Sequence, residues 1–157
     1  YTQAKLYFAK AIEINSKLNN IEGIVDNYIN LGLIAESEDS SELAFDYYTK
    51  ALENSIKIND KLSTATCYLD MANSYGKKKD YKKALEYYNL AVETNINAGN
   101  PDRNALNYSN IGLTYSKMGK RQKAMEYYLK SYKLASSLRA KVLIEHVAHL
   151  LAAEYEF

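Results

Sequence analysis

The sequence predicts an all-α protein, a solenoid of stacked antiparallel helix pairs with about eight helices. Three observations lead to this fold class. The chain matches itself at a constant shift, which places Tyr28 on Tyr68 and Tyr68 on Tyr108. Apolar residues recur at helical spacing within each copy, and helix breakers are scarce, with 6 glycines and 1 proline in 157 residues. A fixed period of this length is typical of repeat architectures, and few breakers suit long helices joined by short turns.

The repeat is clearest in its aromatic and small residues. Tyrosine recurs at Tyr28, Tyr68 and Tyr108, and a small residue follows four positions later each time. The second half of each copy begins with an alanine and continues with a Tyr-Tyr pair; these positions are Ala44, Ala84 and Ala124, with pairs at 47–48, 87–88 and 127–128. Within each half the apolar residues follow i, i+3, i+4, i+7 spacing, which is one face of a helix. Each copy therefore contains two helices.

This register makes residues 1–157 a single array. Residues 1–19 form the second helix of an incomplete repeat, 20–59, 60–99 and 100–138 are three full repeats, and 139–157 form the first helix of another incomplete repeat. The helices are predicted at 2–18, 21–36, 42–58, 61–77, 81–98, 101–117, 121–136 and 139–157. Asn100 is expected to cap a helix in which Pro101 takes the first position. Since the array starts and stops inside repeats, we expect the chain to be an excerpt of a longer protein.

Residue size at matching positions explains why helix pairs should stack. The small residues Gly32, Ala72 and Gly112 allow the two helices of a pair to approach closely. The aromatic residues at 48, 88 and 128 are then expected to fill the space between consecutive pairs. One isolated hairpin cannot bury so much aromatic surface, so neighbouring pairs must cover it.

Composition and motifs argue against several classes of function. The 20 basic and 19 acidic residues give a net charge of +1, without the basic excess that nucleic-acid binding requires. No run approaches the roughly 18 consecutive apolar residues of a membrane span, so no membrane insertion is predicted. There is no glycine-rich phosphate loop and no Gly-x-Ser-x-Gly motif. We therefore predict no enzymatic activity, no nucleic-acid partner through this region and no cofactor.

One candidate for metal binding lies near the C-terminus. His146 and His149 have i, i+3 spacing beside Glu145, which places both imidazoles on one helical face. Structural zinc takes four ligands, and no further ligand is evident nearby. We therefore interpret these histidines as polar residues of a terminal helix and predict no metal site.

The repeated residues resemble the tetratricopeptide repeat family. The family pattern has an aromatic residue, Leu, Gly and Tyr on the first helix, then Ala, an aromatic residue and Ala on the second. Here it reads Tyr28-Leu31-Gly32 with Ala44-Tyr48-Ala51, Tyr68-Met71-Ala72-Tyr75 with Ala84-Tyr88-Ala91, and Tyr108-Ile111-Gly112-Tyr115 with Ala124-Tyr128-Ser131. The resemblance covers nearly the whole chain. It implies a right-handed superhelix that binds a protein or a peptide.

The sequence departs from the family pattern in three ways. Tyrosine replaces the first-helix tryptophan in every copy, and Ile56, Ile96 and Ser136 stand where the family has proline. The period from Tyr28 to Tyr68 is longer than the common one of about 34 residues. Both of the last two features fit longer second helices. Such long repeats resemble those of bacterial peptide-sensing regulators and those that precede bacterial sensor kinases and transcription factors.

In the family, the first helices of successive repeats line a concave groove. Carried over to this sequence, the candidate groove residues are Asn30, Asp70, Asn110, Asn73, Ile29, Leu33, Leu69, Leu106, Ser109 and Leu113. Asn30 and Asn110 stand out, because a carboxamide can both donate to and accept from a peptide backbone, as asparagines of this row do in longer-repeat members. The alternative for both is a local intramolecular hydrogen bond. Basic residues that clamp acidic C-terminal tails in related proteins are replaced here, so we do not expect such tails as ligands.

Three hypotheses for the function follow. The first is a non-catalytic module that binds a protein or an extended peptide, as the sensor or regulatory part of a larger bacterial signalling or transcription-regulating protein. The alternatives are a structural spacer or assembly scaffold with an empty groove, and a short-peptide pheromone receptor. The terminal helix has more apolar residues than one buried stripe needs, which also predicts self-association through the two end helices. These residues are Val142, Leu143, Val147, Leu150, Leu151 and Tyr155.

Overall fold

The computed structural model describes residues 2–155, in which it has eight α-helices, one 3-10 turn and no β-strand. The helices are α1 (Thr2–Lys17), α2 (Ile21–Ser37), α3 (Ser41–Lys57), α4 (Lys61–Lys77), α5 (Tyr81–Asn97), α6 (Asn104–Lys117), α7 (Arg121–Ser137) and α8 (Lys141–Tyr155). The predicted all-α fold class is therefore confirmed. The ends of the chain, residues 1 and 156–157, lie outside the described residues.

The start of the third full repeat differs from its predicted form. Pro101–Arg103 form a 3-10 turn, and α6 begins only at Asn104. The side chain of Asn100 does not cap this turn. Its Nδ2 instead donates to the carbonyl oxygen of Ala98 at 2.9 Å, in the preceding turn. The expected asparagine cap was therefore wrong, because the side chain points backwards along the chain.

The turns between helices share one backbone design. Each contains a residue in the left-handed region, with φ between 54° and 72°; these residues are Asn19, Asp39, Asn59, Lys79, Gly99, Gly119 and Arg139. The following N–H bonds back to a carbonyl five residues earlier, as from Asp80 N to Tyr75 O at 3.0 Å, which closes the helix end. A 17-residue helix such as α4 plus a short turn gives a 20-residue step, as the spacing of these positions shows. Two such steps account for the 40-residue period.

Within each helix pair the small residues permit close approach. The pairs are α2 with α3, α4 with α5, and α6 with α7. A Cβ atom added to Gly32 would lie 2.3 Å from Cε1 of Tyr48, and one added to Gly112 would lie 2.6 Å from Cδ1 of Tyr128. Both distances are far below van der Waals contact. The small residues that the sequence predicts at these positions are therefore required by packing.

The three aromatic residues expected between helix pairs are buried there. Tyr48, Tyr88 and Tyr128 are 0%, 4% and 1% exposed. Tyr48 lies in a cluster with Met71, and Tyr88 in a cluster with Ile111, each on the first helix of the following pair. Each of these two rings thus joins its own pair to the next one.

Besides the aromatic contacts, the junctions between helix pairs contain buried polar side chains. At the junction between α3 and α4, the hydroxyls of Ser55 and Thr64 form a hydrogen bond of 2.9 Å. At the matching positions one repeat later, Nδ2 of Asn95 donates to Oδ1 of Asn104 at 2.8 Å. Oδ1 of Asn104 also accepts from Asn107 at 3.1 Å. The next junction has Ala135 and Ile144 at these positions, so these side chains are apolar there.

The two end helices are the least buried. No residue of α1 is buried, and Val147 is the buried residue of α8. Leu143, Leu150 and Leu151 pack partly buried beside Val147 and Tyr128. Four of the six apolar residues named from the sequence therefore share one stripe that is buried or half-buried. Val142 and Tyr155 lie outside it, at 83% and 68% exposed.

A bilayer-spanning helix would have to be longer and more apolar than any helix within residues 2–155.

Candidate functional site

A cleft opens between the C-terminal halves of α2, α4 and α6. Its volume is about 290 Å³. Five of the ten predicted groove residues line it, and they come from all three helices: Leu33, Asp70, Asn73, Asn110 and Leu113. The repeat register therefore brings these five positions together.

A second cleft of about 200 Å³ lies further towards the N-terminal ends of α4 and α6. The predicted residues Leu69 and Leu106 line it, beside Thr66, Arg103 and Asn107. Two of the ten predicted groove residues thus line this second cleft, and five line the first.

Three predicted groove residues line neither cleft, namely Ile29, Asn30 and Ser109. Ser109 is only 1% exposed, which corrects the expectation that it faces the groove. Ile29 and Leu69 at matching positions are half-buried, whereas the shorter serine side chain ends below the surface. Nδ2 of Asn30 donates to the carbonyl oxygen of Asp26 at 2.8 Å, within its own helix. Asn30 therefore has the local hydrogen bond that was the alternative to a role in binding.

Asn73 and Asn110 form a polar pair across α4 and α6. Oδ1 of Asn73 accepts from the Tyr88 hydroxyl at 2.6 Å and from Nδ2 of Asn110 at 3.5 Å. Within residues 2–155, Nδ2 of Asn73 and Oδ1 of Asn110 make no hydrogen bond. The pair therefore presents a free donor and a free acceptor in the cleft.

Two carboxylates, Glu36 and Asp70, also line this cleft. Glu36 forms an ion pair with Lys77 through Oε2, while its Oε1 is buried without a partner. Asp70 makes no hydrogen bond or ion pair within the described part of the chain. Burial, and then the charge of Glu36, raise the pKa of Asp70 to about 7, against an opposing effect of Lys77. Asp70 is therefore a carboxyl group that titrates near neutral pH.

The Tyr48 hydroxyl is buried and has no hydrogen-bond partner within residues 2–155. Burial raises its pKa, and the negative charges of Asp70 and Glu36 raise it further. The repeat explains why this hydroxyl is unpaired. Tyr88 finds an acceptor in Asn73, whereas the position that matches Asn73 one repeat earlier is Leu33.

Several residues of the first cleft were not predicted. They are Glu36, Gly76, Lys77, Tyr81, Tyr88, Thr114 and Lys117. Glu36, Gly76, Lys77, Thr114 and Lys117 lie within about one helical turn of the predicted row at 33, 73 and 113, so extending that row along the helix would have found most of them. Tyr88 was assigned entirely to the core, although its hydroxyl reaches the cleft. No cluster of three or more potential metal ligands occurs within residues 2–155.

Comparisons with known proteins address the family of the chain. The sequence profile of the tetratricopeptide repeat matches residues 23–95 and 63–137. No curated protein sequence matches the chain significantly. The structure of BtubC (BKLC) from P. vanneervenii superposes with a TM-score of 0.86 at 18% identity, over 99% of this chain and 65% of that chain. The apo form of RapI superposes with a TM-score of 0.77 at 13% identity, over 97% of this chain and 62% of that chain.

A third similar structure comes from Pyrococcus horikoshii. It is a signal transduction ATPase with numerous domains and a tetratricopeptide repeat sensor, with a TM-score of 0.83 at 21% identity, over 95% of this chain and 23% of that chain. This chain spans less than two thirds of each of the three structures. At such low identities the likeness shows the fold alone. Since the two profile matches together cover well over half of the sequence, the chain belongs to the tetratricopeptide repeat family, whose members are generally non-catalytic protein-interaction modules.

Proposed function

We propose that this chain binds an extended segment of a partner protein, or a peptide, in the cleft between α2, α4 and α6. The observation that carries the proposal is the pair Asn73 and Asn110, with one free donor and one free acceptor on adjacent helices. An extended peptide offers one N–H and one C=O per residue, so it can satisfy both. Leu33 and Leu113 line the same cleft and supply apolar contacts.

We further propose that this binding serves a sensor or regulatory role in a larger signalling protein. The repeats of the Pyrococcus horikoshii ATPase are described as a sensor, and the similar fold supports the same role here. A short-peptide receptor is a narrower form of this proposal. A structural spacer is the alternative, and it requires a cleft that binds no peptide.

The test is a selection of random 12-residue peptides on the immobilised chain, followed by NMR of the labelled protein with the peptides obtained. We expect the side-chain amide signals of Asn73 and Asn110 to shift on binding. Asn110→Ala should weaken binding about tenfold, a loss of about 1.4 kcal/mol. Its melting temperature should hardly change, since the side-chain hydrogen bond of Asn110 is a long one of 3.5 Å.

Asn89→Ala is the matched control, because Asn89 is exposed on α5, outside both clefts. It should bind the selected peptides as the wild type does. Failure to select any peptide would favour the spacer. Peptide binding that is unchanged in Asn110→Ala would overturn the assignment of the site to the asparagine pair.

Self-association of the end helices is a second proposal. Tyr75 stacks on Tyr87 with ring centroids 5.4 Å apart, and Tyr115 stacks on Tyr127 at 5.6 Å. On the first helices, the position that follows Tyr75 and Tyr115 in the repeat is Tyr155 on α8, which is 68% exposed. On the second helices, the position that precedes Tyr47 in the repeat is Tyr7 on α1, which is 61% exposed. Helix α8 of one copy and α1 of another therefore have the residues of one complete helix pair.

Light scattering across a concentration series tests this association. We expect the wild type to form oligomers whose size depends on concentration. Tyr7→Ser and Tyr155→Ser should each be monomeric, because each variant alters one side of every α8–α1 contact. A mixture of the two variants should form a dimer, because one intact α8 then meets one intact α1. A wild type that stays monomeric at high concentration contradicts the proposal.

A further inference from the structure

The negative charge in the first cleft is incompletely matched. The Glu36 side chain is only 10% exposed, and its Oε1 has no partner within residues 2–155. Asp70, one helix away, makes no polar contact within the same described range. Lys77 binds the other oxygen of Glu36, but its own side chain is 62% exposed and lies at the rim. Two carboxylates thus line the cleft together with one lysine that is ion-paired to Glu36.

The Tyr48 hydroxyl is a further buried polar group without a partner, next to the cleft-lining residues and not among them. The residue is fully buried, and its hydroxyl has no partner in the described part of the chain. Its ring lies against Gly32 and packs in a cluster with Met71, the residue after Asp70. Burial raises its pKa, and the charges of Asp70 and Glu36 raise it further. An unpaired buried polar group costs free energy. A water molecule can pair with a hydroxyl but does not neutralise two carboxylates, whereas an ammonium or guanidinium group offers several N–H donors and a charge.

The basic residues of the cleft do not remove this acidic character. Lys77 lowers the pKa of Asp70, but burial and Glu36 outweigh it. Lys117 lines the opposite wall, on α6, and forms no ion pair within residues 2–155. The cleft therefore has two half-buried carboxylates and two exposed lysines.

We infer that Asp70 and Glu36 receive a lysine or arginine side chain of the peptide that occupies the cleft. The inference rests on the proposed function, because a peptide backbone held at Asn73 and Asn110 passes beside Asp70. Asp70 and Asn73 are three residues apart on α4, so they lie on one helical face. Asp70 also matches Asn110 one repeat earlier. The chain thus selects a basic segment, in contrast to relatives that clamp acidic tails.

The probes are four blocked pentapeptides of alanine in which the central residue is arginine, lysine, citrulline or glutamate. Citrulline keeps the shape of arginine but has no charge. Each is titrated to millimolar concentration while the side-chain amide signals of Asn73 and Asn110 are followed. We expect the arginine and lysine peptides to bind at least about tenfold more tightly than the citrulline peptide. The glutamate peptide should bind most weakly.

Asp70→Asn should remove the preference for arginine over citrulline. Asp26→Asn is the control for net charge, because Asp26 is an exposed residue of α2 outside both clefts. It should leave the preference unchanged. If Asp70→Asn fails to fold, as shown by circular dichroism, Glu36→Gln replaces it and should reduce the same preference.

The outcomes separate this inference from the function it rests on. Equal binding of arginine and citrulline peptides at the cleft would overturn the inference and leave a peptide-binding groove. An arginine preference that survives both Asp70→Asn and Glu36→Gln would overturn it as well. If no pentapeptide shifts the cleft signals, the inference is wrong, and the selection of random peptides decides separately whether the groove binds peptides at all.

Discussion

The hydroxyl of Tyr88 donates a hydrogen bond of 2.6 Å to Oδ1 of Asn73, whereas the hydroxyl of Tyr48 is buried without a partner within residues 2–155. The two tyrosines occupy matching positions of consecutive repeats. They differ because Leu33 takes the place of Asn73 beside Tyr48. The pair allows the free energy of one hydrogen bond to be compared with that of one unpaired hydroxyl in the same setting.

Tyr88→Phe and Tyr48→Phe should have different effects on stability. Tyr88→Phe removes a hydrogen bond and should lower the free energy of unfolding by about 1 kcal/mol. Tyr48→Phe removes an unpaired buried hydroxyl and should leave the stability unchanged or raise it. Chemical denaturation of both variants checks this, and equal losses in the two would contradict it.

Tyr88→Ala tests whether these rings join the helix pairs. The ring is 4% exposed and packs against Ile111 of the next pair. Its removal should lower the free energy of unfolding by roughly 3–5 kcal/mol, as for other buried aromatic residues. Tyr132→Ala is the control, since Tyr132 is 38% exposed on α7. Similar thermal shifts for the two variants would show that the junction is not held by Tyr88.

Asp70 should make stability depend on pH. Its pKa is raised from 3.8 to about 7 in the folded chain. Its contribution to stability is therefore fully present below pH 3.8 and is lost as the pH rises through about 7. Relative to Asp70→Asn, the wild type should lose at most about 4 kcal/mol over this range, at about 1.4 kcal/mol per pKa unit.

Urea denaturation of the wild type and Asp70→Asn at several pH values measures this difference. Asp26→Asn at an exposed site provides the comparison and should follow the wild type. Parallel curves for the wild type and Asp70→Asn would mean that the Asp70 carboxyl is not perturbed by burial.

The buried asparagines should be strongly coupled. Oδ1 of Asn104 accepts from both Asn95 and Asn107, so Asn104→Ile leaves both of these amides without their acceptor. We expect a loss of roughly 1–3 kcal/mol for each unpaired group. Adding Asn95→Ala and Asn107→Val should recover much of this loss, because the next junction already has Ala135, Ile144 and Val147 at these positions.

A double-mutant cycle with Asn95→Ala and Asn104→Ile measures the coupling by denaturation. Additive losses would show that the amides of Asn95 and Asn104 act independently.

The left-handed turn residues provide a test with two neighbouring lysines. Lys79 has a φ of 62°, whereas Lys78 has a φ of −73°. Lys79→Gly should raise the free energy of unfolding by roughly 0.5–1 kcal/mol, because a side chain is disfavoured in the left-handed region. Lys78→Gly should lower it by a similar amount, since glycine is unfavourable in helical backbone. The same sign for both variants in denaturation experiments would contradict this.

The fold was predictable because its determinants repeat along the chain. Gly32 and Tyr48 fit each other by size, and the same fit recurs between Gly112 and Tyr128, so spacing alone identifies the contact. The candidate site was only partly predictable. Register placed Asp70, Asn73 and Asn110 in one cleft, but the depth of Ser109 and the local bond of Asn30 depend on their immediate neighbours.

The repeat pattern locates Glu36 and Asp70 near the cleft, but it does not predict that two carboxylates meet there. Glu36, Tyr48 and Asp70 come from three different helices, and each has a different residue type at the matching positions of other repeats, or a different partner. The matching positions of Glu36 and Asp70 in the other repeats are not acidic, so the repeat pattern by itself does not indicate a pair of carboxylates.

The uniform turns bear on how such an array changes in evolution and in engineering. Each turn closes through backbone atoms, and glycine, asparagine, aspartate, lysine and arginine all occur at its left-handed position. A gene segment that encodes one complete repeat can therefore be duplicated or deleted, and the same type of turn still connects the helices on either side. The length of the array is free to vary, while the residues that face the cleft determine what each added unit recognises.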